Sequence, residues 1–460
     1  MIKTLSEEVH REGGAAMNRF GNNIRLSPFQ VILSGFLSVI LLGTLALMLP
    51  VSARSGQWTS FETALFTSTS ALCVTGLVVR DTATHWSAFG QLVILILIQL
   101  GGLGIVTVAA LISSLSGRKI SLLQRTALQD SISAHNLGGL LRMTRFLFRV
   151  TFAVELAGAL ALMPSFCGRF GPVGVWMAVF HSVSAFCNAG FDLMGTRSGA
   201  FSSLTLFRAQ PGVVLPVCVL IVVGGIGFLT WSDAAEHGIH LRRYRMQSKA
   251  ILLTTAVLIL LPTMLLFWGE YADLSLRERF CLSLFQAITP RTAGFNTADL
   301  GAMSGAGRAL IIVLMLIGGS PGSTAGGMKT TTVAVLFSNT FAVFGRRRDA
   351  QLFGRRIEDE AVKNAATLLL LYLTLALSGA WVISALEGLP FEPCLFETAS
   401  AIGTVGLSLG LTPGLGLASH LILILLMFFG RVGALTVFYA LINSPGAEQS
   451  RCPAETIVVG

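Results

Sequence analysis

"LFTSTSALCVTGL" (Leu65–Leu77) decides how the chain folds, because its pattern occurs four times. Four turns align on a glycine: "CVTGL" (73–77), "CNAGF" (187–191), "RTAGF" (291–295) and "TVGL" (404–407), anchored at Gly76, Gly190, Gly294 and Gly406. Successive anchors lie 114, 104 and 112 residues apart. A similar short segment precedes each turn: "LFTSTSAL", "VFHSVSAF", "LFQAITP" and "LFETASAI". Phe66, Phe180 and Phe396 stand ten residues before their glycines, and Phe285 nine before Gly294, in a shorter copy that contains Pro290. An internal repeat sets the architecture before any single helix is assigned.

Outward from each turn the surroundings repeat as well. A long apolar segment lies upstream, at 28–50, 142–164, 247–268 and 361–387. A glycine motif inside an apolar run lies downstream: "QLGGLGIVT" from Gln99, "VVGGIGFLT" from Val222, "LIGGSPG" from Leu316 and "FFGRVGALT" from Phe428. Each unit therefore reads as spanning helix, short helix, glycine turn, spanning helix. About 20 apolar residues cross a bilayer, whereas about ten helical residues cover only half of its hydrocarbon core. The short helices must lie outside it or re-enter from one side.

Composition agrees with a polytopic membrane protein. The chain is 53% hydrophobic and 12% charged, with mean hydropathy +0.74, and a soluble domain carries about twice that charged fraction. Residues 1–27 are polar and basic and hold no apolar core of a secretory signal. The net charge of +9 concentrates in three loops: Arg118, Lys119 and Arg125; Arg242, Arg243, Arg245 and Lys249; Arg346, Arg347, Arg348, Arg355 and Arg356. The positive-inside rule puts these loops, and both termini, in the cytoplasm and the glycine turns toward the outer side. Membrane lipid accounts for the basic excess, and no nucleic acid is expected. The expected partition is a tail (1–27), repeats at 28–115, 142–236, 247–344 and 358–442, and a tail (443–460).

Catalysis is disfavoured. The seven cysteines show no CxxC or Cys/His spacing, and among the scattered histidines His237 and His240 form only a weak pair. A non-helical turn at membrane depth is tolerated where protein or a water-filled cavity surrounds it. Four such turns can share an axis. Glycine permits the positive φ that turns carbonyl oxygens inward, and each short helix aims its negative C-terminal end the same way. Rings of carbonyls replace a cation's hydration shell. The candidate filter is Val74, Thr75 and Gly76; Asn188, Ala189 and Gly190; Thr292, Ala293 and Gly294; Thr404, Val405 and Gly406. Asn188 and Thr292 are its best side-chain candidates.

Taken together, these residues resemble the Trk/Ktr/HKT superfamily of potassium transporters over about 28–442. The most specific matches are "TPRTAGFNT" (289–297), "GGSPGSTAGGMKT" (318–330) and "GRVGALT" (430–436); "TVGL" is similar to a truncated potassium-channel "TVGYG". The first spanning segment starts near Pro28, without the two extra helices of Trk-type subunits, so the chain resembles most the Ktr-type membrane subunit (KtrB). The resemblance implies an all-α fold of four M1–P–M2 repeats around a pseudo-tetrameric pore, with about eight spanning helices and four re-entrant pore helices. It further implies potassium uptake across the plasma membrane, with K+ held at the filter residues and no organic cofactor. Na+ stands as a candidate activator or coupling ion. The implied partners are a second copy in a homodimer and a cytosolic nucleotide-binding ring (KtrA-like) on the basic loops. In the superfamily a serine at the first filter glycine accompanies sodium preference, so four glycines favour potassium.

"GGSPGSTAGGMK" (Gly318–Lys329) interrupts the third repeat's second helix, and the resemblance makes it an intramembrane gating loop. Pro321 removes a backbone donor, and Gly318, Gly319, Gly322, Gly326 and Gly327 favour departure from the helix. Ser320, Ser323 and Thr324 can satisfy the freed backbone groups. The other three copies keep only a short glycine motif and can remain nearly helical, their "GGLG" and "GGIG" serving close packing. Arg431, a charge inside an apolar run, is expected to face the pore and hold the loop. Lys329 either lines the inner cavity or marks the helix's return to the cytoplasm. Glu155 is expected to have a local partner, Cys73 and Cys187 to be buried structural residues, and Glu62 and Glu397 to order the filter. Asp81 and Asp192 read as solvated loop charges, the alternative being that they concentrate cations at the outer mouth. The competing reading is an ion-coupled transporter of an organic solute built from re-entrant hairpins; four same-direction repeats argue against it.

Overall fold

The computed structural model describes residues 28–105, 107–108, 140–433, 437 and 455. The tail 1–27, all of the tail 443–460 except residue 455, the basic cluster Arg118–Arg125 and the ends of repeats 1 and 4 lie outside the described residues.

Each repeat opens with a long apolar helix: α1 (Pro28–Met48), α4 (Leu140–Phe170), α8 (Met246–Gly269) and α12 (Asp359–Glu387). Among the described residues these are the four continuous helices long and apolar enough to cross a membrane. The short helices are α2 (Phe61–Leu72), α5 (Val173–Phe186), α9 (Leu276–Ile288) and α13 (Phe391–Ile402). Each stops directly before its glycine turn and packs on the long helix of its own repeat. The repeated phenylalanine is the anchor of that packing: Phe66, Phe180, Phe285 and Phe396 are all buried to 1% exposure or less.

The downstream helices are α3 (Ala88–Leu103), α6 (Pro211–Ile226), α10 (Gly305–Leu316) and α14 (Leu417–Val432). Each packs against the short helix of the next repeat, and α14 of the fourth returns to α2 of the first. The chain thus closes a four-membered ring around one axis.

None of these four helices runs through the glycine motif. Near-helical continuity in repeats 1, 2 and 4 was the expectation, and the structure overturns it. The last glycine of the motif carries φ +83 at Gly104, +97 at Gly227 and +93 at Gly433, a conformation closed to the helix. After Gly227 the chain turns by 95° into α7 (Phe228–His237). The first glycine of the motif does serve packing. A Cβ on Gly101, Gly224 or Gly430 would lie 2.0, 2.0 or 2.1 Å from the carbonyl oxygen of Leu72, Phe186 or Ile402, near the end of a short helix. One motif therefore performs two tasks, close approach and a backbone break.

In repeat 3 the break widens. The chain leaves α10 at Leu316 and re-enters a helix, α11, at Thr330–Phe344; Ile317 and Met328 pair as a parallel bridge at the neck of the intervening loop. The third basic cluster also departs from helix and loop: β1 (Gln351–Leu352) and β2 (Arg355–Arg356) form a small antiparallel hairpin.

Candidate cation pathway and gating loop

The four glycine turns meet at the axis. A Cβ built on Gly76 would lie 2.5 Å from the carbonyl oxygen of Ala189, on Gly190 2.8 Å from Ala293 O, on Gly294 2.4 Å from Val405 O, and on Gly406 2.1 Å from Thr75 O. Each turn thus presents its second carbonyl to the glycine of a neighbour, and the contacts run once around the ring. No side chain larger than hydrogen fits at these positions.

Within every turn the first and third residues have positive φ. Val74, Asn188, Thr292 and Thr404 lie between +51° and +66°, and the glycines between +69° and +92°. The middle residue stays at negative φ, so the backbone alternates hand and consecutive carbonyls face one side. Left-handed backbone is costly for β-branched residues such as Val74, Thr292 and Thr404. The sequence marked only the glycines; the strain two residues before each of them was not legible. The Asn188 amide, oriented to suit its neighbours, donates to Ala185 O (3.0 Å) and Ile221 O (3.2 Å), so it braces the backbone behind the turn.

The short helices also supply a brace. Ser70, Ser184, Thr289 and Ser400 occupy corresponding positions and accept, through their backbone carbonyls, the amide of the middle turn residue (2.8, 2.7, 2.9 and 2.8 Å). Their hydroxyls bond the outer part of the same turns. The signal was present, a hydroxyl residue six before the glycine in three copies and five before it in the shorter third, but among many serines it did not stand out.

Above the ring lies a cavity of about 420 Å³ lined by the four glycines with Asp192, Asn296, Asp299 and Ser408. Asp81 is not a solvated loop charge, as expected from its loop position, but is 6% exposed. Its carboxylate accepts the amides of Ala83 (3.1 Å), Thr84 (2.9 Å) and, across repeats, Phe201 (2.9 Å). Asp192 is half-buried and accepts from Met194 N (2.9 Å). Burial, opposed by that bond and reinforced by Asp81, pushes its carboxyl up to about 7. Glu397 accepts Ser408 Oγ (2.6 Å), Leu409 N (3.0 Å) and Thr412 Oγ1 (2.6 Å), which ties the fourth turn's outer stretch to its short helix. Glu62 instead pairs with His420 (2.6 Å), joining repeat 1 to repeat 4 at the ring's closure.

Below the ring lies the loop. Gly326 abuts the Thr404 side chain, a Cβ there meeting Oγ1 at 2.1 Å, so the loop sits directly under the fourth turn. Repeat 2 holds its other flank: Ser320 N donates to Gly225 O (2.9 Å), Thr324 N to Gly224 O (3.3 Å), Thr324 Oγ1 to Phe186 O (3.0 Å), and Phe228 N to Gly322 O (2.7 Å). Ser323 Oγ donates to Ser320 O (2.6 Å), and the Ser320 and Thr330 hydroxyls lie 3.1 Å apart. At the neck, Gly318 N donates to Met328 O (2.8 Å), Thr330 N to Gly319 O (2.9 Å) and Gly327 N to Gly430 O (3.3 Å). Pro321 packs its carbonyl against Gly227, where a Cβ would lie 2.7 Å away.

Arg431 occupies the second glycine position of the fourth motif. Its guanidinium donates to the carbonyls of Thr324 in the loop and of Gly101, with Gly102 at 3.4 Å. It therefore clamps the loop to repeat 1. Lys329 stands at the N-cap position of α11 without capping it, and its ammonium folds back to donate to Ala325 O (2.8 Å) and Gly326 O (3.3 Å). Glu155 accepts from Gln99 (3.0 and 3.3 Å) beside Cys187, which is fully buried like Cys73.

The fold and this geometry have relatives. The model of the TrkH family of cation transport proteins matches residues 23–449. The chain belongs to that family. Family members similar to it include the potassium/sodium uptake protein NtpJ of Enterococcus hirae, 39% identical over 95% of this chain and 98% of its own length. The Ktr system potassium uptake protein B of Bacillus subtilis is 36% identical over 91% of this chain and 93% of its own. The crystal structure of the potassium transporter TrkH from Vibrio parahaemolyticus superposes with a TM-score of 0.72 at 20% identity, covering 93% of this chain and 87% of that one. The family is one of transporters and not of enzymes, and this member is a multi-pass membrane protein.

Proposed function

We propose that the chain is a potassium-uptake pore of the plasma membrane whose selectivity filter is the ring of four glycine turns. The carrying observation is the closure of that ring, each turn's second carbonyl facing the glycine of a neighbour. Carbonyl dipoles so arranged offer a dehydrating cation an oxygen shell, and the short-helix ends add negative potential from four sides. The names of the relatives, potassium/sodium uptake and Ktr potassium uptake, point to K+ as cargo, with Na+ a candidate activator or coupling ion.

The loop from Gly318 to Lys329 is the gate in this reading. It lies between the filter and the inner side, and Arg431 both repels cations and holds the loop across the pathway. The basic loops face the cytoplasm, where a nucleotide-binding ring docks and a second copy completes a homodimer; the "Ktr system" relatives carry the name of a multi-component assembly. The test is rubidium uptake into proteoliposomes with potassium or sodium as competitor. Potassium competing at concentrations where sodium does not is expected. Uptake driven by an organic solute, with no cation uptake of its own, would transfer the case to the solute-transporter reading.

A further inference from the structure

The four hydroxyls behind the filter are not used alike. Ser70 and Ser400 accept, on Oγ, the backbone amides of Gly76 (3.1 Å) and Gly406 (3.0 Å). Ser184 and Thr289 donate instead to the carbonyls of Phe191 (2.8 Å) and Phe295 (2.5 Å), one residue beyond the glycine. The backbone divides in the same way: φ is +92 at both Gly76 and Gly406, but +69 at Gly190 and +75 at Gly294. So does the sequence. Turns 1 and 4 place a β-branched residue before the glycine (Thr75, Val405) and leucine after it (Leu77, Leu407). Turns 2 and 3 place alanine before (Ala189, Ala293) and phenylalanine after (Phe191, Phe295). Turns 1 and 4 are neighbours in the ring, since Gly406 abuts Thr75 O. The filter is therefore two adjacent pairs and not four equal units.

The two bonding modes have opposite consequences. In a planar trans peptide the N–H and the preceding C=O point in opposite directions. A hydroxyl that holds the Gly76 amide from behind thus holds the Thr75 carbonyl forward, and Ser400 does the same for Val405. These two oxygens are the ones that press closest on neighbouring glycines, at 2.1 and 2.4 Å from a built Cβ. In turns 2 and 3 the hydroxyl draws a carbonyl back toward the short helix, and the amide of Gly294 reaches only the Thr289 backbone, at 3.4 Å.

We propose that Ser70 and Ser400 are positioning residues for cation discrimination: they lock the Thr75 and Val405 carbonyls toward the ion, making repeats 1 and 4 the stiff half of the filter, while repeats 2 and 3 form an adaptable half. This rests on the filter reading above. Selectivity depends on how many carbonyls reach the ion and how firmly they are held. Without the hydroxyl the buried glycine amide has lost its side-chain partner, and the peptide is free to rotate its carbonyl out of the ring.

The test is the ratio of rubidium to sodium flux in proteoliposomes of the full-length chain, for Ser70→Ala, Ser400→Ala, the double variant, Ser184→Ala and Thr289→Val. Each of the first two is expected to lower the ratio about fivefold, the equivalent of one net hydrogen bond, and the double variant further. Ser70→Thr and Ser400→Thr keep the hydroxyl and should restore it. Ser184→Ala and Thr289→Val should lower total flux with a distinctly smaller change in ratio. Equal loss of ratio in all four alanine or valine variants, or none in Ser70→Ala and Ser400→Ala, would overturn the proposal. Should an alanine variant fail to insert, Ser→Cys at the same position preserves volume with a weaker acceptor and is expected to lower the ratio as well. Gly76→Ser separates the two levels: if it leaves the ratio unchanged, the filter reading itself is wrong, and if it alone changes the ratio, only the serine assignment is.

Discussion

Replacing Arg431 by alanine should raise the resting cation flux. The guanidinium gives the loop one direct bond, to the Thr324 carbonyl, while its other contacts anchor it on Gly101 and Gly102 of repeat 1. A hydrogen bond from a charged donor contributes about 1.5–3 kcal/mol. Opening the loop rehydrates the guanidinium and recovers part of its burial cost, so the lower end of that range applies. At about 1.4 kcal/mol per tenfold, the open population then rises at least about tenfold. The remaining bonds to Gly224, Gly225, Phe186 and Phe228 keep the loop largely in place, so the pore should leak without being fully open. Rubidium uptake into proteoliposomes lacking any regulatory partner measures this directly. Arg431→Lys separates clamp from charge, because lysine keeps the charge but not the planar fork. A clamp combined with repulsion predicts that the lysine variant leaks above the native chain but less than alanine; repulsion alone predicts that it behaves as the native chain. Unchanged resting flux in Arg431→Ala, with insertion verified, would refute the clamp.

Shortening the loop by removing 320–326 takes away the barrier beneath Thr404, and resting rubidium uptake should rise above that of Arg431→Ala; flux no greater than native contradicts the gate. Gly227→Ala forces a side chain into a conformation that only glycine adopts freely and against Pro321 O at 2.7 Å. It should cost about 1–3 kcal/mol of stability and release the loop's repeat-2 flank, seen as a lower unfolding midpoint in detergent together with raised resting uptake. Asp192 has its carboxyl raised from 3.8 to about 7. A raised acid is protonated below the folded value, so its contribution to stability is largest at low pH and is lost as pH climbs from about 4 to 7. Above 7 it places a negative charge in the outer cavity. Apparent cation affinity should therefore improve as external pH rises through 7, and Asp192→Asn should flatten that profile; an identical profile in the variant excludes Asp192 as the source.

The ring was legible because its markers recur. Gly76, Gly190, Gly294 and Gly406 are fixed by a steric demand that no other residue meets, and the phenylalanine ahead of each gives the short helix one buried anchor. What recurs ambiguously was misjudged. "GGLG" reads as helix packing because small residues do serve close approach at Gly101 and Gly224, yet the last glycine of the same motif breaks the helix at Gly104 and Gly227. Only the shared φ of three copies separates the two tasks, and φ is not written in one residue. Interactions between distant segments were out of reach altogether: Asp81 finds its partner 120 residues away at Phe201, and Glu62 finds His420 358 residues away. A lone acidic residue in a loop looks solvated until the chain folds over it. The unequal use of Ser70 and Ser184 depends on which way a hydroxyl's bond runs, and composition carries no trace of that.

The most direct test of the account compares potassium, rubidium and sodium flux through the native chain and through Gly76→Ser. The ring leaves no room for a side chain there, Ala189 O lying 2.5 Å from where its Cβ would sit. Potassium and rubidium flux well above sodium is expected in the native chain, with loss of that advantage in the variant. Native selectivity preserved in Gly76→Ser, at equal protein insertion, would contradict the account.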